Sequence, residues 1–237
     1  MRSLLAVAGL ALMLVVSGCK GDPTTPEYWS KRIEGAKGKK EKLKAIEELR
    51  EKHMSPAMLP MLHERLNAEK SAEVRRDIAR VLGEAKSDTS IDALTNAIVF
   101  APGDTDEKGL DKEIANALGN IGSPKAASTL VKLLGVKDNY TVLAAIDGLG
   151  EIRAPEGFEA LDKIASDDTQ ETFVTKKAII ALGNIGDKRA VPTLVKAMFK
   201  ERKGVSFYLE ASFALYQMGT PAADALLPVL DGSDKAM

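Results

Sequence analysis

Both histidines and three of the eight methionines of this chain of 237 residues lie within one short segment, between His53 and His63. The methionines are Met54, Met58 and Met61. Thioether and imidazole groups suit copper(I), so this segment could hold that ion. Met58 and Met61 also fall at apolar positions of a predicted helix, where flexible methionines fill a hydrophobic core. Two interpretations therefore stand, copper handling and core packing, and titration with copper(I) separates them.

Phosphate and calcium chemistry are less well supported by the residues. The stretch Gly119–Gly122 reads Gly-Asn-Ile-Gly, but a phosphate loop follows a β-strand and, in the Walker form, ends in Gly-Lys-Ser or Gly-Lys-Thr. Asp104, Asp106 and Glu107 could approach a calcium ion, yet their spacing does not follow the pattern of an EF-hand loop. We therefore predict that the segment Phe100–Gly109 is a solvated loop, and we predict no cofactor and no metal ligand.

The hexapeptide Ala-Leu-Gly-Asn-Ile-Gly occurs twice, at Ala117–Gly122 and Ala181–Gly186. Its leucine belongs to a series of six, here called the reference leucines, which are spaced by 33, 36, 31, 33 and 33 residues. The reference leucines are Leu49, Leu82, Leu118, Leu149, Leu182 and Leu215. A fixed period of this length indicates a repeat architecture.

Each repeat unit is predicted to be a helix, a short turn and a second helix. Apolar residues at helical spacing lead up to the reference leucine, and glycines such as Gly122 and Gly186 can then end the first helix in the left-handed conformation. Gly119 and Gly183 fall inside the first helix, where we predict that they allow a close approach of the neighbouring helix. The buried side of the second helix is predicted at Met61, Leu94, Leu130, Leu161, Leu194 and Leu227.

The segment from Ile179 to Leu194 resembles a HEAT repeat, and more narrowly the HEAT-like type first named from phycobilisome lyases. The resemblance extends over residues ~40 to ~232 and weakens in the terminal units, which cap such a stack. It implies an all-α fold, a right-handed α-solenoid of about six helix-turn-helix repeats, in which the second helices line a concave face. Many members of this family are scaffolds or adaptors.

The N-terminus has the pattern of a secretory signal. After Met1-Arg2-Ser3, the stretch Leu4–Val16 is apolar and uncharged, and it is too short for an ordinary membrane-spanning helix. The following residues, Val16–Cys19, resemble the bacterial lipobox, in which the cysteine is diacylated and becomes the first residue of the mature chain. We predict lipidation of Cys19, the only cysteine. The alternative is an ordinary secreted protein with an incidental cysteine.

These features predict four segments. Residues 1–18 are the lipoprotein signal peptide, 19–26 a lipid-anchored tether, 27–40 an N-terminal capping helix and 41–237 the solenoid. Thr25 and Pro26 have the types preferred at a helix cap and first position. Tyr28 and Trp29 are expected to cover the open end of the stack, although Trp29 could instead anchor at the membrane interface. Lys20 after the cysteine suggests the outer rather than the inner membrane, with the protein facing the periplasm.

Composition and residue counts restrict the function. Lys and Arg number 33 against 34 Asp and Glu, and this balance does not suggest nucleic-acid binding. Two histidines are too few for the several His-Glu pairs that hold two irons in the HEAT-like deoxyhypusine hydroxylases. No Ser/His/Asp or Cys/His arrangement can be built, so we predict no catalytic residue and no enzyme activity. An enzyme of unseen type remains the alternative.

The predicted function is binding of another cell-envelope protein by a scaffold that is held at a membrane through lipid on Cys19. The exposed candidates on the predicted concave face are Lys132, Glu159, Lys163, Thr193, Lys196 and Lys200. Their charges are mixed and indicate no charge class of partner. The last predicted helix ends in an apolar sequence containing Leu226, Leu227, Val229 and Leu230, so this end could also dock a second copy.

Overall fold

The computed structural model describes residues 21–100 and 106–230, so Cys19, the signal sequence and Asp104 lie outside the described part. Its thirteen α-helices are α1 (Pro26–Glu34), α2 (Lys39–Lys52), α3 (Leu59–Ala68), α4 (Ala72–Glu84), α5 (Ile91–Asn96), α6 (Asp106–Ile121), α7 (Ala127–Leu133), α8 (Asn139–Glu151), α9 (Phe158–Ser166), α10 (Thr172–Ile185), α11 (Val191–Met198), α12 (Tyr208–Met218) and α13 (Thr220–Leu230). A short antiparallel hairpin of β1 (Glu201–Arg202) and β2 (Val205–Ser206) joins α11 to α12. No helix in these two ranges is long and apolar enough to cross a membrane.

The helices after α1 form six hairpins, each with a first helix that contains a reference leucine and a second helix that follows it. The first helices are α2, α4, α6, α8, α10 and α12, and the second helices are α3, α5, α7, α9, α11 and α13. Each first helix packs against the first helix of the next hairpin. The predicted all-α solenoid of helix-turn-helix units is therefore confirmed. The insert differs from its prediction, because α6 begins at Asp106, inside the segment that was expected to be a loop.

Helix ends follow the local sequence. The Asp138 side chain accepts a hydrogen bond from the Thr141 amide at 2.9 Å and so caps the start of α8. Gly122 and Gly186 have φ values of 75° and 74°, which confirms their predicted left-handed conformation at the ends of α6 and α10. Lys86 and Arg153 occupy the same repeat position with φ of 50°, so this turn forms even where glycine is absent.

The hydrophobic core runs the length of the stack. Five of the six reference leucines, from Leu49 to Leu182, are fully buried, whereas Leu215 in the last unit is only partly buried. The predicted core positions of the second helices are also buried from Met61 to Leu194. The prediction for Leu227 is wrong, because 58% of this residue is exposed. It lies on the last described helix, where no further unit covers its outer side.

Glycines let the first helices approach one another closely. A Cβ atom added to Gly183 would lie 2.6 Å from Ala214 Cα, and one added to Gly119 would lie 2.9 Å from Gly148 Cα. The prediction that these glycines permit close helix packing is confirmed. In the first unit Arg50 takes this position, and α2 and α4 are less closely packed. A groove of about 480 Å³ opens between them.

The hairpin after α11 contributes a half-buried arginine that bonds to the end of α9, the second helix of the preceding unit, and to α10. Arg202 donates through Nη1 to the Asp167 carbonyl at 2.9 Å and through Nη2 to Thr175 Oγ1 at 2.6 Å. Arg75 in α4 makes comparable bonds to the carbonyls of Leu66 and Ala97. These arginines satisfy carbonyl groups near the ends of second helices, which have no partner within their own helix.

Helix α1 covers the first end of the stack. The Thr25 hydroxyl accepts a hydrogen bond from the Tyr28 amide and Pro26 is the first helical residue, as predicted. Trp29 is fully buried and its Nε1 donates to the Pro23 carbonyl at 2.7 Å. Its predicted role in covering the end of the core is confirmed. The alternative, an anchor at the membrane interface, is wrong, because a buried indole cannot reach lipid.

We expect the fluorescence of Trp29, the only tryptophan, to be blue-shifted in the folded protein, because its fully buried indole is shielded from water. Unfolding in urea should shift the emission to the red as the ring enters water. Adding phospholipid vesicles to the folded protein should leave the spectrum unchanged. An emission maximum that already matches free tryptophan before urea is added would contradict the buried position.

Candidate protein-binding surface

The second helices present a row of three lysines to solvent. Lys132, Lys163 and Lys196 are exposed and occupy the same position in three successive units, on α7, α9 and α11. Stacking therefore aligns side chains that are more than 30 residues apart in sequence. This arrangement creates a basic row suited to contact with a partner that spans several repeats, although the binding role of these residues stays a prediction.

The other three predicted residues make contacts between neighbouring units, which the sequence did not indicate. They pair as Glu159 with Arg189, Thr193 with Asp162 and Lys200 with Asp168. Arg189 also hydrogen bonds to Asp187 and lowers the pKa of that carboxyl group. Its guanidinium carbon lies 4.1 Å from the centre of the Phe158 ring. Glu159, Thr193 and Lys200 therefore make contacts within the protein as well as facing solvent.

A second exposed surface was missed in the sequence analysis. Tyr140, Phe173, Leu209 and Phe213 are 70%, 48%, 74% and 51% exposed, and they lie on the neighbouring first helices α8, α10 and α12. We call these four residues the apolar patch. The sequence signal is visible when the repeat units are aligned. The helix positions of these four residues carry mainly polar or charged residues in the earlier units.

Ion pairs connect the three helices of the apolar patch. Lys177 of α10 lies 2.8 Å from Asp147 of α8. Lys176 of α10 lies 2.6 Å from Glu210 of α12. Both lysines of α10 on this surface therefore have an acidic partner on a neighbouring helix.

The segment from His53 to His63 is part of the folded core. Met58 is fully buried and Met61 is 9% exposed. The His53 ring lies against Trp29, with 5.4 Å between ring centres, and His63 Nε2 lies 2.9 Å from Ser90 Oγ. Burial lowers the pKa of His63. These contacts favour the packing interpretation over the copper interpretation.

Ionisable side chains of the described ranges are not grouped as metal ligands, and several of them line the groove between α2 and α4. Within residues 21–100 and 106–230, no group of three or more His, Cys, Asp or Glu side chains is placed to hold a metal ion. The groove between α2 and α4 is lined mainly by charged residues, among them Asp77, whose pKa is raised by burial. Asp77 lies 2.7 Å from Arg80 Nη1, so this carboxylate is part of an ion pair.

Comparison with known families identifies the repeat. A family model described as HEAT repeats matches residues 103–175, and one described as PBS lyase HEAT-like repeat matches residues 176–200. Residues 103–200 of this chain therefore match HEAT-type repeats. No curated protein sequence matches it significantly.

Solved structures share the helical solenoid architecture. A designed armadillo repeat protein in complex with the peptide (KR)4 has a TM-score of 0.57 at 20% identity, covering 82% of this chain and 99% of that one. The YibA protein of Escherichia coli has a TM-score of 0.56 at 20% identity, covering 82% and 68%. An engineered protein has a TM-score of 0.54 at 22% identity, covering 83% and 97%. At these identities the likeness establishes the fold.

Proposed function

We propose that this protein is a lipid-anchored HEAT-repeat scaffold that faces the periplasm and binds another protein of the bacterial cell envelope. Lipid on Cys19 holds the scaffold at the outer membrane, and the solenoid presents its side chains to the partner. The protein acts by binding and positioning, without catalysing a reaction.

One observation carries this proposal: the stack places exposed side chains of successive repeats at equivalent positions along its surface. The row Lys132, Lys163 and Lys196 extends over three units, and the apolar patch extends over three first helices. Such surfaces match an extended protein segment or a helix better than a small molecule, which is usually held in a concave pocket. The designed armadillo protein with its bound peptide is an example of this fold holding a peptide.

Crosslinking in intact cells tests the proposal. A tagged form of the complete chain is expressed, treated with an amine-reactive crosslinker and purified from membranes. We expect one envelope protein to be linked through second-helix lysines such as Lys132 or Lys196. The control is Cys19→Ser, which removes the acylated thiol and should release the protein from the membrane fraction. Absence of any partner above background would count against a scaffold.

Self-association at the last hairpin is a further part of the proposal. Tyr216 stands where four earlier units have a glycine, and it is 82% exposed, so another first helix could not pack there closely. Tyr208 and Leu227 are also exposed near this end. We propose that a second copy can dock here. Sedimentation of the purified protein as a monomer at high concentration would exclude this dimer.

A further inference from the structure

The residues before α1 fold back onto that helix. The Pro23 carbonyl accepts a hydrogen bond at 2.7 Å from Nε1 of the buried Trp29. Gly21 lies beside the Tyr28 ring, since a Cβ atom added to it would be 3.0 Å from Tyr28 Cδ2. Contacts with α1 are therefore present from Gly21 onward, and Gly21 is only two positions after Cys19 in the sequence.

A lipid on Cys19 would hold this end of the stack close to the membrane. One residue of an extended chain spans at most about 3.6 Å, so the Cα atoms of Cys19 and Gly21 are no more than about 7 Å apart. This distance is shorter than the Debye length at physiological ionic strength, which is about 8 Å. Because α1 covers the first end of the stack and packs against α2, these two helices are the elements nearest to the anchor.

Charge is unevenly distributed along the chain. Residues 20–44 contain eight Lys and Arg against four Asp and Glu, whereas residues 45–237 contain 24 against 30. The near balance of the whole chain therefore combines a basic first end with an acidic remainder. A membrane surface that contains anionic phospholipids attracts basic segments close to it and repels acidic ones. Such a surface would attract the end of the stack that the anchor holds nearest.

Three exposed lysines of the first end have no carboxylate partner. Lys31 lies on α1, Lys37 in the turn after it and Lys40 in the first turn of α2, and we call these three the end lysines. Within residues 21–100 and 106–230, no ion pair includes an end lysine. The neighbouring Lys42 instead contacts Glu69 at 2.7 Å. The ammonium groups of the end lysines are therefore available to an external anion.

Most acidic side chains of the first end are engaged within the protein. Glu34 forms an ion pair at 2.5 Å with an arginine of α3. Glu41 Oε2 accepts a hydrogen bond from a backbone amide of the turn at 2.8 Å, and Asp22 Oδ1 accepts one from a neighbouring amide at 2.9 Å. The fourth acidic residue, Glu27, is exposed. Basic groups therefore outnumber acidic groups among the free side chains of this end.

We infer that the first end of the stack is a membrane-contact surface, on which Lys31, Lys37 and Lys40 bind the headgroups of anionic phospholipids. This inference rests on the lipid anchor of the proposed function and specifies how the anchored protein is oriented. The contact is electrostatic and leaves Trp29 buried. Neighbouring first helices pack about 8–10 Å apart, so the last hairpin stands roughly 40–50 Å along the stack from the membrane.

Labelling of individual lysines tests the inference. The complete chain is expressed and acylated, purified in detergent and incorporated into vesicles of phosphatidylcholine, either alone or mixed with phosphatidylglycerol. Flotation measures attachment to the vesicles. A membrane-impermeant amine reagent is then added, and mass spectrometry gives the rate of modification at each lysine. The internal controls are Lys132, Lys163 and Lys196, which are also exposed and belong to no ion pair of the described ranges.

We expect phosphatidylglycerol to slow modification of the end lysines by about fivefold, the factor that corresponds to the attraction of one lysine to an anionic surface. The control lysines should react equally in both kinds of vesicle. The double variant Lys37→Glu with Lys40→Glu should restore the rate at Lys31, because it reverses most of the attraction. The matched variant Lys163→Glu with Lys196→Glu should leave the protection of Lys31 unchanged. Circular dichroism verifies that both variants fold.

The other outcomes separate the orientation from the anchor. Protein that floats with the vesicles but keeps unprotected end lysines would overturn the inference and leave the anchored scaffold intact. Protection of the control lysines instead would show that the second helices face the membrane, which also overturns it. Equal protection in detergent would assign the contact to protein rather than lipid and overturn the inference. Protein that does not float would refute the lipid anchor and the inference together.

Discussion

Replacing Leu149 by alanine is expected to lower the free energy of unfolding by about 3–4 kcal/mol, because the side chain is fully buried. Leu149 is the reference leucine of the central part of the stack, and its methyl groups lie beside Gly157 at the start of α9. The substitution removes apolar contacts and leaves a cavity between the two helices of one hairpin. Urea unfolding followed by far-ultraviolet circular dichroism measures the loss.

Leu227→Ala is the matched control for this prediction. It makes the same chemical change at a second-helix position of the last unit, equivalent to the buried Leu161, where the residue is 58% exposed. We expect a change within about 0.5 kcal/mol, as for other surface substitutions. Equal losses in the free energy of unfolding for the two variants would contradict the difference in burial between Leu149 and Leu227.

Replacing Gly183 by alanine is expected to destabilise the protein by about 2 kcal/mol in net terms. The new methyl group would lie 2.6 Å from both Cα and Cβ of Ala214, so α10 and α12 must move apart. Overpacking of this kind costs roughly 3 kcal/mol at the upper end of its usual range. The higher helix propensity of alanine offsets about 1 kcal/mol of that cost. Urea unfolding again gives the measurement, and loss of the α10–α12 contact should affect the last repeat first.

Gly150→Ala provides the comparison for Gly183→Ala. A methyl group at Gly150 would lie 3.3 Å from Ala181 Cα and Cβ, which requires only a small adjustment of the neighbouring helix. The packing cost should then be similar to the gain in helix propensity, giving a net change of about zero. A loss at Gly150 as large as that at Gly183 would mean that glycine is needed for a reason other than the close approach.

The sequence predicted the architecture because the repeat period is directly visible in it. The spacing of the reference leucines located the hairpins, and Gly122 and Gly186 marked the ends of first helices that the structure confirms. The spacing of the leucines reflects burial, and the glycines reflect the local geometry of a helix end. Both signals are strong because they recur in several units. A single unit such as that of Leu215 would have given a far weaker signal.

The surfaces were less predictable, because contacts between repeats join residues that the sequence separates. Nothing near Thr193 or Lys200 in the sequence indicates their pairing with Asp162 and Asp168. The apolar patch was overlooked for a related reason: at helical spacing, an apolar residue is first assigned to the core. Leu227 was assigned to the core by the same reasoning, and it is 58% exposed because no other helix of the described residues packs on that side of α13.

Tyr216 affects where a further repeat unit can be added to this chain. Duplication of an internal stretch of about one period, for example between Leu149 and Leu182, adds a unit whose glycine again accepts the next first helix. Duplication of the last unit gives only a looser contact, as at Arg50 between α2 and α4, because a bulky side chain takes the place of the glycine. Duplication inside the stack therefore keeps the close packing of the first helices, whereas duplication of the last unit would loosen it.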